Sequence, residues 1–283
     1  MTLFVVPTEA ALGAEVRGLD LAREMDNATA NEIAQAWHAR QVLLFCGQSL
    51  NPDRLAAFSR HFGALDVVPA WRKFHPPGSK DVLVISNVIE NGEPIGVLGY
   101  GEAEWHTDMS YIDLPPRASV LHALEVPQAG GETSFLDMYA ALESMPRELR
   151  GAIEGKVINH DSSYDSAGGL RPGAAAFDDV REAPGARHPA IRLHPESGRR
   201  ALYLGRRRNA WIVGMDEKDS DALLDALWAH VLQPRFVWTH SWRVGDVLVW
   251  DNRCTMHRRA PFDAAERRVM HRTQIVGERP IAA

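Results

Sequence analysis

Ser119-Val120-Leu121-His122-Ala123-Leu124-Glu125-Val126, then Pro127-Gln128-Ala129-Gly130-Gly131-Glu132, then Thr133-Ser134-Phe135-Leu136: two short apolar runs stand either side of a connection built on Pro and Gly. Runs this short, bounded by turn-forming residues, read as β-strands. The pattern recurs at 42–46, 82–85, 157–160, 201–204, 236–240, 247–250 and 268–276. Many short strands predict a sandwich or barrel with helices packed outside it. The helices are also legible. Thr29-Ala30-Asn31-Glu32 has the capping-box pattern, and Ile33 and Trp37 follow four residues apart, which predicts a helix to about Arg40. Leu55, Phe58 and Phe62 line a second helix that stops at Gly63. Residues 139–154 predict helix with a break at Pro146, and 217–232 predict helix capped by Asp216.

The 283 residues contain no internal repeat or low-complexity linker, so 1–283 is expected to form one domain. Residues 162–188 are the exception to the regular pattern, rich in Gly, Ala, Pro and Asp without periodicity, and are expected to form an active-site lid or binding loop. A formal charge of -6 argues against a nucleic-acid binder, and the runs Arg206-Arg207-Arg208 and Arg258-Arg259 are too short to reverse that. Two cysteines are too few for a disulfide framework. Cys46, at the end of an apolar run, is expected to behave as a small hydrophobe, and a reducing cytoplasm fits best. No run of 18 apolar residues and no export leader is seen, so no membrane partner is expected, while homo-oligomerisation stays open.

His106-Thr107-Asp108 carries the first chemistry, since residues two apart on an extended chain point to one side and an imidazole and a carboxylate can then reach one ion. That spacing also occurs on ordinary surfaces. A second histidine would complete a facial set that suits Fe(II) oxygenases. With 12 histidines in the chain, only context can select it. On residues alone, a zinc-dependent hydrolase and a non-catalytic β-sandwich binding protein remain alternatives.

The context is Trp250-Asp251-Asn252-Arg253-Cys254-Thr255-Met256-His257, followed by Arg268 and Arg272. With Gly18-Leu19-Asp20-Leu21, Arg60-His61-Phe62-Gly63, Trp105-His106-Thr107-Asp108 and Gly130-Gly131-Glu132-Thr133, it resembles the taurine dioxygenase and 2,4-dichlorophenoxyacetate dioxygenase family along nearly the whole chain. The resemblance implies a mostly β fold with flanking helices, a double-stranded β-helix of jelly-roll type. It further implies Fe(II) held by His106, Asp108 and His257, with Thr133 and Arg268 on the distal carboxylate of the cosubstrate 2-oxoglutarate. Dioxygen and a small anionic organic substrate are the implied partners. Hydroxylation beside oxygen, sulfur or nitrogen would let that bond cleave. Asp108 argues against a halogenating relative, which needs the carboxylate's place for halide.

Arg268 and Arg272 lie four apart and share a strand face, so one can grip the cosubstrate and the other a substrate carboxylate, sulfonate or sulfate. Where taurine enzymes of this family have a histidine, a tyrosine and an asparagine, this chain has Val68, Trp71 and Glu102, which points to a larger acid than taurine. Arg258, Arg259, Arg267 and Arg279 read as surface arginines, and His122 and His271 as interior histidines. Trp250 reads as core, and Asn252 either as a residue that orients the turn presenting His257 or as a plain turn asparagine.

Overall fold

The computed structural model describes residues 3–66, 69–97, 103–165 and 167–283. Its larger sheet runs in the order Phe4–Pro7, Ala14–Arg17, Val42–Phe45, Val247–Asp251, Ala118–Glu125, Val269–Ile275 and Leu65–Asp66, with Leu83–Ser86 also paired to Val269–Ile275. The smaller sheet orders Val237–His240, Thr133–Asp137, Thr255–Arg259 and Ala103–His106. This is the jelly-roll core with flanking helices that the sequence predicts.

Successive side chains of a strand point to opposite faces, and Val247-Leu248-Val249-Trp250 shows how the layers form. Val247 and Val249 pack outward against Ile33 and Trp37 of the helix Asn27–Arg40. Leu248 and Trp250 point inward and meet Phe135 of the smaller sheet. Burial on both faces explains why this strand reads as an unbroken apolar run. Each such side chain contributes roughly 1.5–3 kcal/mol. Outside the smaller sheet, Leu136 and Met256 are covered by the helices Met138–Glu143, Arg147–Ile153 and Glu217–Val231. The break at Pro146 and the cap at Asp216 fall where the sequence places them.

Several expectations change. The first helix begins earlier than its capping box, because Asp26 is the N-cap and accepts from the Thr29 N–H at 2.7 Å. Cys46 is exposed, not packed as a small hydrophobe, since the strand ends at Phe45. The irregular stretch 162–188 is interrupted: Val180–Glu182 form a 3-10 turn, and Gly185–Pro189 form a strand paired with Val157–Asp161. The hairpin Phe4–Pro7/Ala14–Arg17 and the strand Thr255–Arg259 were not expected. Among the described residues, no helix is long and apolar enough to cross a membrane.

Candidate metal centre

Strand Ala103–His106 pairs with Thr255–Arg259 in a register that sets His106 directly opposite His257, with ring centroids 4.2 Å apart. The strand ends at His106, and the following turn brings Asp108 back: its Oδ1 lies 3.6 Å from His106 Nε2 and 3.8 Å from His257 Nε2. All three side chains are buried, and their ligand atoms lie within 4.8 Å of one another. Two imidazole nitrogens and one carboxylate oxygen so placed suit a divalent transition metal with open positions.

Neighbouring groups aim these donors. His106 Nδ1 meets the Glu104 carbonyl at 2.7 Å, which turns Nε2 toward the centre. Ser119 Oγ donates to Asp108 Oδ2 at 2.9 Å and leaves Oδ1 available. Asn252 accepts from the Asp108 N–H at 2.8 Å and donates to the Asp108 and Pro116 carbonyls at 2.9 and 2.8 Å. It therefore positions Asp108, not the turn ahead of His257. Asp251 braces that turn instead: it accepts from Arg253 Nε and Nη2 at 2.9 and 2.7 Å, and Thr255 Oγ1 donates to its carbonyl at 2.7 Å. His194, Asp251 and Cys254 are also close enough to hold a metal, but the Arg253 fork occupies both Asp251 oxygens, so the group is a structural ion pair. Asn252→Ala is expected to weaken Mn(II) binding about 10- to 100-fold, as loss of a residue behind a metal ligand typically does. An unchanged dissociation constant in a Mn(II) titration would mean that other contacts hold Asp108.

Burial favours protonation of Asp108, but His257, Arg272 and His106 outweigh it and hold the carboxyl well below the usual carboxylate range. Arg272 Nη1 lies 3.8 Å from Asp108 Oδ1. Burial, and then the charge of His106, push His257 down to about 3, which leaves a neutral imidazole able to bind metal.

A cavity of about 150 Å³ opens beside the triad, and Thr133, Arg268, Arg272 and Trp71 all line it as expected. Thr133 Oγ1 accepts from Trp242 Nε1 at 2.9 Å, so its own proton is free to meet an acceptor. Arg268 is 3% exposed, its Nε has no partner, and no carboxylate among the described residues pairs with it. Burial, then the Arg259 charge, pull it down to about 9. A buried cation without counter-charge is costly and marks a place for an anion. Val68 and Glu102 lie outside the described residues.

Arg267 and Arg279 are paired at the surface with Glu125 and Asp113, as expected. His122 and His271 face each other on the larger sheet, on the side opposite Arg272. Arg259, by contrast, lines the cavity. Its position two residues after His257 on one strand gave the signal, since both must share a face. Arg171, Arg206 and Tyr111 also line it, and no local pattern announces them.

A jelly roll whose inner face carries two histidines and a carboxylate beside an uncompensated arginine is the framework of a mononuclear metal oxygenase. The model of the taurine catabolism dioxygenase TauD, TfdA family matches residues 5–274. The chain is 32% identical over 292 residues to an (S)-phenoxypropionate/alpha-ketoglutarate-dioxygenase of Delftia acidovorans, covering 98% of this chain and 96% of that protein. It is 34% identical over 288 residues to a pentalenolactone F synthase of Streptomyces arenae, covering 96% and 94%. Among solved structures, AAD-2 in complex with Mn(II) and N-oxalylglycine aligns with a TM-score of 0.80 at 28% identity, over 99% of both chains. The chain belongs to the TauD/TfdA family. It is a dioxygenase that depends on Fe(II) and 2-oxoglutarate.

Proposed function

We propose that His106, Asp108 and His257 hold Fe(II), that Thr133 and Arg268 hold the distal carboxylate of 2-oxoglutarate, and that Arg272 takes the anionic group of a small organic acid that is hydroxylated. The observation that carries this reading is Arg268, a buried guanidinium without an acidic partner, in the cavity that also contains the triad. A fork of donors matches a carboxylate bidentately, and the free Thr133 proton adds a further bond. Bound Fe(II) supplies dioxygen activation, coupled to decarboxylation of 2-oxoglutarate to succinate and carbon dioxide.

The chain's own residues orient the reactants and exclude water. Arg272 reaches the cavity within 3.8 Å of Asp108, which keeps a bound acid close to the metal donors. Trp71, Ile85 and Leu121 offer an apolar wall for the substrate body. Within 162–188, the irregular part ahead of the strand Gly185–Pro189 acts as the lid, a role supported by Arg171, which reaches the cavity from it. The whole chain 1–283 works as one catalytic domain, since its wall draws on residues from Trp71 to Arg272. The substrate is an acid larger than taurine, a reading to which Val68, Trp71 and Glu102 contribute from the sequence. Attack at a carbon bearing oxygen, sulfur or nitrogen gives an unstable product that collapses with cleavage of that bond. Two free cysteines, one of them exposed, fit a reducing cytoplasm.

A screen of aryloxy and other carboxylic acids, sulfonates and alkyl sulfates for substrate-dependent succinate formation tests the substrate class. Arg272→Ala is expected to raise the KM of the best acid at least about thirtyfold, since truncating one member of a buried charge pair costs roughly 2–5 kcal/mol. Taurine as the best substrate, or activity confined to uncharged compounds, would overturn this reading.

A further inference from the structure

The run Arg206-Arg207-Arg208 divides between surface and interior. Arg207 pairs with Asp221 and Asp225, and Arg208 lies over the Tyr164 ring, while Arg206 lines the cavity beside the triad. Gly205 fixes that path. Its carbonyl accepts from the Thr107 N–H at 3.0 Å, its φ is +69°, and a Cβ there would lie 2.0 Å from His160 Nδ1. Only glycine lets the chain pass against His160 and Ser110 while bonding Thr107.

Arg206 Nη1 donates to the Tyr164 carbonyl at 2.7 Å, and its buried Nε has no partner. Arg171, carried by the irregular stretch, donates to Tyr111 Oη at 2.8 Å and to the Tyr164 carbonyl at 3.0 Å, and stacks on the Tyr111 ring at 4.1 Å. Neither arginine has an ion pair with any described carboxylate, although most other arginines of the chain do. Asp165 and Asp108 also line the cavity and attract Arg206, but Asp165 is tied through its Oδ1 to the Ala167 and Gly169 N–H groups and Asp108 faces the two histidines and Arg272, so neither carboxylate forms an ion pair with Arg206 or Arg171. Arg268 and Arg272 are accounted for by cosubstrate and substrate. Two neighbouring guanidiniums in the same wall are not, and like charges held together out of water are unfavourable unless an anion joins them.

We propose that Arg206 and Arg171 form a second anion-binding pole of the substrate pocket, so that the preferred substrate is a small diacid with one acidic group on Arg272 and the other on this pair. The inference rests on the reading of the cavity given above. Arg272 comes from the larger sheet and Arg206 from the segment bonded to Thr107, so the two poles approach the triad from different elements.

The test is calorimetric titration of the full chain in Mn(II), first with 2-oxoglutarate and then with phenoxyacetate and 4-carboxyphenoxyacetate, a matched monoanion and dianion. The dianion is expected to bind at least about tenfold tighter to the wild type, and less than about twofold tighter to Arg206→Gln, the scale of one charge-assisted contact. Thermal melts and circular dichroism check that the variant is folded, and Arg171→Gln serves as a second variant with a smaller loss of preference. Equal affinity for the two probes in the wild type overturns the proposal, as does full preference surviving in both variants. Equal weakening of both probes in Arg206→Gln also overturns it, because Arg206 then only ties down Tyr164. Binding of 2-oxoglutarate without a dianion preference removes the second pole alone. Failure of 2-oxoglutarate to bind removes the reading of the cavity and the pole with it.

Discussion

Asp108→Ala is expected to abolish the weak visible band that Fe(II) and 2-oxoglutarate give the anaerobic protein, and to reduce succinate formation to background. Asp108 is the one anionic donor in the triad, 3.6 and 3.8 Å from the two histidine nitrogens. Loss of an outer partner of a metal ligand typically costs 10- to 100-fold in affinity, so loss of the ligand itself should exceed about a hundredfold. The change also leaves Arg272 without the carboxylate it faces at 3.8 Å. His106→Ala should behave alike. If the band and turnover both survive in Asp108→Ala, the ligand set is wrong.

Arg268→Ala is expected to raise the KM for 2-oxoglutarate roughly thirtyfold to several thousandfold, corresponding to about 2–5 kcal/mol for truncating a buried charge partner. The effect has a pH signature. Burial and Arg259 lower Arg268 to about 9, and only its protonated form attracts a carboxylate. Affinity for 2-oxoglutarate should be full below that pH and fall up to about tenfold per unit above it, because binding must then take up a proton. Steady-state KM measured from pH 7 to 10 reads this directly. Arg268→Ala should remove the alkaline fall. An unchanged KM together with a persisting fall would transfer the role to Arg259.

What was legible in the sequence follows from which faces each strand buries. The strands Ala118–Glu125 and Val247–Asp251 are apolar on both sides and were readable at once. Thr255–Arg259 was not, because His257 and Arg259 face the cavity and break the apolar pattern. Asp26 was passed over as a cap because the Thr29 pattern lies just downstream. At the site, the spacing of His106 and Asp108 was visible, but selecting His257 required the motif around it. The same motif concealed a division of work: Asp251 and Arg253 stiffen the turn, while Asn252 crosses to the backbone of Asp108, 144 positions away. Arg171 and Arg206 come together on the Tyr164 carbonyl, and the bond from Arg206, 42 positions away, is one that no local pattern encodes.

The cross-strand pairing of His106 with His257 has an evolutionary consequence. A strand cannot slip by one residue without turning every side chain to the other face, so the two histidines of the reactive centre are held by the register of the smaller sheet. Trp71, Tyr111, Arg171 and Arg206 come instead from segments outside the two main sheets. Connections of that kind accept substitution and insertion readily. A lineage built on this scaffold can therefore drift from one acid to another while its oxidative chemistry stays constant. Directed-evolution libraries aimed at new acids belong in those connections, with the paired strands left untouched.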